Sequence, residues 1–84
     1  MTAIQLESLR NRATWWARDA GKTDGFVVFF HFNLCGWSES FARLQTGGWV
    51  AGAVAMPVDA AGKALVAVGG DYQNGCERWE EIKA

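Results

Sequence analysis

Apolar side chains recur at helical period through the first twenty residues. Leu6, Leu9, Ala13, Trp16, Ala17 and Ala20 fall on one stripe, which predicts an amphipathic helix over residues 2–20. Thr2 and Gln5 stand at capping-box spacing, and Gly21 is the natural residue to end the helix in a left-handed conformation. Ile4 and Trp15 lie off that stripe. Eleven residues apart, they align on a second face, either under a loop or the C-terminal segment, or against another subunit.

After a turn at Lys22–Gly25 the period changes. Phe26–Phe32 is β-branched and aromatic throughout, with Phe26, Val28, Phe30 and Phe32 on one face and Val27, Phe29, His31 and Asn33 on the other. Both faces are largely apolar, so the segment reads as a central strand covered on both sides. Residues 34–48 read as a connection holding a short helix, capped by Ser38, running to Gln45 and ended by Gly47 and Gly48, with Phe41 and Leu44 inward. That connection is long enough for parallel neighbours.

A second strand is expected over Trp49–Val58, with Trp49, Ala51, Ala53 and Ala55 on one face and Val50, Val54, Met56 and Val58 on the other. The small residues would let a helix or a partner approach closely. Pro57 cannot donate to a ladder, which puts an edge near it. Residues 59–63 read as a hairpin loop with Gly62 in left-handed geometry, returning into a third strand over Ala64–Val68. Gly69–Gly75 is a loop by composition. Asn74 and Glu77 have capping-box spacing for a short C-terminal helix carrying Cys76, Trp79 and Ile82 or Lys83 on one side. The expected architecture is a single α+β domain over residues 1–84. Its sheet is three-stranded, antiparallel or mixed, with the N-terminal helix packed on it, in the order α-β-α-β-β-α.

Composition changes this picture in one respect. Five Trp and five Phe in 84 residues exceed what a core of this size easily hides, so some aromatic surface is expected to meet a partner, a ligand or a second copy. The formal net charge is −1 with no Lys/Arg run, which gives no footprint for nucleic acid. No apolar run approaches the length of a membrane span, and the first residues lack the pattern of a signal peptide, so a cytoplasmic protein is expected. Abundant Ala and Gly, with Arg favoured over Lys, suggest a GC-rich bacterial source.

Candidate chemistry is sparse. His31, Cys35 and Asp71 have the residue types of a nucleophile, a base and an orienting carboxylate, but their spacing gives no support. Cys35, Cys76 and His31 with a carboxylate have zinc-ligand types without the short paired spacing of structural zinc sites. Cys35 and Cys76 read instead as two free, mostly buried thiols. Gly47–Gly48 precedes a strand and is followed by no Gly-Lys-Ser/Thr, so it is no phosphate loop. In the 69–75 loop, Asp71 and Asn74 are expected to bond their own backbone.

No catalytic residue, metal or cofactor is therefore assigned. The function expected is a non-enzymatic interaction module, an accessory protein of a bacterium or mobile element, acting on itself as a homodimer or on another protein. Its aromatic surface would comprise Ile4, Trp15, Trp37 and Trp49. The alternative is a small-molecule binder with a pocket between sheet and helices near Phe29, His31, Trp49 and Tyr72.

Overall fold

Helix α1 spans Ala3–Ala20 and begins where the capping box places it. The Thr2 hydroxyl accepts from the Gln5 backbone N–H at 3.1 Å, and the Gln5 side chain accepts from the Thr2 N–H at 2.9 Å. Two of the four orphan donors of the first turn are thus satisfied. At the other end Gly21 takes φ +72°, and its N–H donates to the last helical carbonyls. Leu9, Ala13 and Ala17 are buried along the inner face. Replacing Thr2 by Ala is expected to cost about 1 kcal/mol, read as a lower urea midpoint at unchanged slope.

The structure, a computed structural model, describes residues 1–59 and 61–83. Its other elements are β1 (Phe26–Phe30), β2 (Asn33–Ser38), α2 (Phe41–Thr46), β3 (Val54–Pro57), β4 (Leu65–Val68) and β5 (Arg78–Glu81). The five strands form one sheet in the order β2-β1-β3-β4-β5, and every pairing is antiparallel. The α+β class and the N-terminal helix are as expected. The three-stranded sheet is corrected to five strands, and the parallel alternative is excluded.

Alternation of side chains builds a two-sided core. On the α1 side, Val27, Phe29, Val54 and Met56 meet Leu9 and Ala13. On the other side, Val28, Ala53, Ala55 and Ala67 meet Leu44 of α2 and Trp79. The central strand is covered on both faces, as its sequence requires, and the small side chains of Ala53 and Ala55 leave room for Leu44 of α2.

Five expectations fail for identifiable reasons. Strand β1 stops at Phe30, because His31 and Phe32 take φ +50° and +65° and form a two-residue turn into β2. Residues 33–38 are therefore a strand, and the helix cap moves from Ser38 to Ser40, whose hydroxyl accepts from the Arg43 N–H at 3.2 Å. Leu44 is buried as expected, whereas Phe41 is exposed. The expected strand from Trp49 starts only at Val54, since Ala51 and Gly52 form a turn. The expected C-terminal helix is strand β5. Asn74 donates its side-chain N–H to Asp71, and the Glu77 N–H donates to Val68 C=O, extending the β4–β5 pairing.

Pro57 and Gly62 are corrected in detail. Strand β3 is interior, yet its registered pairs with β4 are Val54–Val66 and Ala55–Leu65. The Val58 N–H donates to Gly25 on the β1 side, so the Pro57 nitrogen faces the side on which pairing has ended. Gly62 is not left-handed. It is needed for space, because a Cβ there would lie 2.6 Å from Cβ of Pro57. Ala60 of the same loop lies outside the described residues.

Candidate interaction surface

The inner face of α1 rests on β1 and β3, which leaves its outer face without a partner among the described residues. Ile4, Ser8, Asn11 and Trp15 follow one another at spacings of four, three and four residues, placing them on one line along the helix. Eleven residues make about three turns and about 16 Å of length. These four side chains and the flanking Glu7 and Arg12 line one shallow groove, with Ile4 84% and Trp15 66% exposed at its ends. Ser8 and Asn11, both exposed, lie between them. Glu7 makes no ion pair among the described residues. The Arg18 guanidinium stands 5.9 Å from the centre of the Trp15 ring.

Arg12 ties the helix to the β1–β2 turn. Its guanidinium donates to the Phe32 carbonyl and lies 5.1 Å from the centre of the buried Phe29 ring. Beside it a second, open-sided groove is lined by Met1, Gln5, Leu9, Phe29, His31 and Phe32, among others. Phe32 is 48% exposed at the turn, and Leu34 is 38% exposed on β2. Leu34 pairs with Phe29 and so points to the α1 side of the sheet. Met1, Ile4, Trp15, Phe32 and Leu34 thus gather around α1 and the hairpin tip. A left-handed conformation costs a non-glycine residue about 1–2 kcal/mol, and the His31–Phe32 turn uses two in succession.

The residues expected to form one aromatic surface divide between places. Ile4 and Trp15 belong to the outer face of α1. Trp37 is half-buried on the α1 side, where its indole N–H donates to Asp24 C=O at 3.1 Å and the Lys22 ammonium lies 4.3 Å from its ring centre. Trp49 is half-buried on the opposite side against Gly36 and the end of α2. Trp49 and Trp79 keep buried indole N–H groups with no acceptor among the described residues.

The residues of the expected pocket divide as well. Phe29 and His31 line the hairpin-tip groove. Tyr72, 86% exposed, stands with Val50, Ala51, Gly70 and Asp71 around a smaller hollow, and Trp49 lines neither. The sequence reading missed Phe32 and Leu34. The sequence held little signal for them, since the turn lacks the usual Asn-Gly and the bulge at Cys35 breaks the alternation of β2.

The groups singled out for chemistry are not joined to one another. The exposed Cys35 is the extra residue of a bulge, since Val28 pairs with Gly36 and Phe29 with Leu34. Its thiol donates to the Asn33 carbonyl at 3.5 Å rather than to His31. Cys76 is half-buried, and both thiols are free, so the expectation of two buried thiols is corrected for Cys35. No three His, Cys, Asp or Glu side chains cluster as metal ligands among the described residues. No helix among them is long and apolar enough to cross a membrane.

Asp71 folds its own loop. It accepts from the Asn74 N–H at 2.7 Å, the Gln73 N–H at 3.0 Å and the Asn74 side chain at 3.2 Å. Bonds from Asn74, backbone first, hold its carboxyl below its ordinary value. A depressed carboxyl contributes order above its unfolded value and loses it as pH falls through the folded one. Protection factors for the amides of residues 71–75, taken after dividing out the intrinsic pH dependence of exchange, should therefore hold steady from neutral to mildly acid pH and fall only below the usual carboxylate range.

No protein family model, curated protein or solved structure matches this chain.

Proposed function

We propose that this protein is a non-enzymatic binding module that engages another polypeptide through the outer face of α1 and the adjoining β1–β2 turn. The observation that carries this reading is the gathering of Met1, Ile4, Trp15, Phe32 and Leu34 on that side. Exposed apolar residues scattered singly need no explanation, whereas Met1, Ile4 and Phe32 line adjoining grooves beside Arg12, with Trp15 farther along the same helix face, and such a grouping is the composition of a contact surface. Trp at its end fits the residues that dominate such contacts. The two free thiols fit a reducing, cytoplasmic setting.

The small-ligand reading keeps one support, the groove at the hairpin tip with Phe29 and His31 in its lining. It is open-sided and has few convergent polar groups, which favours a protein contact over an enclosed ligand.

Ile4→Ser combined with Trp15→Ala separates the two. Both positions are exposed, so stability by urea melt should change by no more than about 0.5 kcal/mol. Wild-type protein should hold a polypeptide, a copy of itself or another protein, in affinity capture and sedimentation, and the double variant should lose it. Wild type that holds no polypeptide at high micromolar concentration, but retains a small molecule in native mass spectrometry, would reverse the order of the readings.

A further inference from the structure

We draw no further inference here: the strongest candidate, the open-sided apolar groove between α1 and the β1–β2 turn lined by Leu9, Phe29, His31 and Phe32, adjoins the surface already described, and nothing in the structure shows what covers it.

Discussion

Phe29→Ala should lower the stability of this domain by about 3–5 kcal/mol, the usual cost of deleting a fully buried ring and leaving a cavity behind. Phe29 is completely enclosed, on the central strand, between Leu9 of α1 and the neighbouring strands. It also carries the Arg12 guanidinium on its face, a contact worth a further fraction of a kcal/mol. A domain of this size has a total stability of about 4–12 kcal/mol, so the variant should be partly or wholly unfolded at room temperature. Far-ultraviolet circular dichroism against urea measures it directly. A loss below about 1.5 kcal/mol would mean the α1–sheet interface can collapse around the gap, contrary to the packing described.

The second large effect has the opposite sign. Replacing His31–Phe32 by Asn–Gly should stabilise the fold by about 1–2 kcal/mol and raise its melting temperature by several degrees. Both positions have positive φ, and Asn–Gly is the pair that a two-residue hairpin of this kind prefers. The Arg12 bond to the carbonyl at position 32 survives, because it uses the backbone. A stabilised variant would show that the native pair is held against the interest of folding. Sparsely populated conformations of that kind cluster at working sites. A destabilised variant would show instead that the Phe32 ring anchors the hairpin tip and belongs to the core.

The parts of this fold that were legible in the sequence share a strong local signal. Helix α1 carried both a 3.6-residue stripe and matched caps, and β1 was too rich in β-branched and aromatic residues to be anything else. The division of residues 53–58 between the two faces of the sheet followed from alternation alone. The parts that were illegible lacked such a signal or carried a misleading one. No Asn or Gly marks the turn after Phe30, so β2 looked like a connection, and with it went the pairing that exposes Phe32 and Leu34. Asn74 and Glu77 imitate a capping box, but Asn74 is already committed to Asp71. The competing signal was Arg78-Trp79-Glu80, polar on both sides of one buried indole, which is a strand period.

The candidate site was legible to the same extent. Ile4 and Trp15 could be read as a second helical face, because that needs only spacing. Trp37 and Trp49 could not be placed, since their environment depends on which strands are neighbours. Aromatic surplus proved a blunt guide. Of the five indoles only Trp15 stands clear of the core, while Trp16, Trp37 and Trp49 are half-buried and Trp79 is enclosed. The apolar surface that remains comes as much from Ile4, Phe32 and Leu34 as from tryptophan.

The interrupted ladder at Cys35 and the charged outer strand at Arg78–Glu81 bear on what concentrated protein would do. A regular, uncharged margin invites successive molecules to add without end, the route to fibrils. Here one margin is bent out of register and the other is a four-residue strand carrying three charged side chains, and both features blunt an edge as a template for growth. Crowding this protein should therefore not seed filaments through its sheet margins.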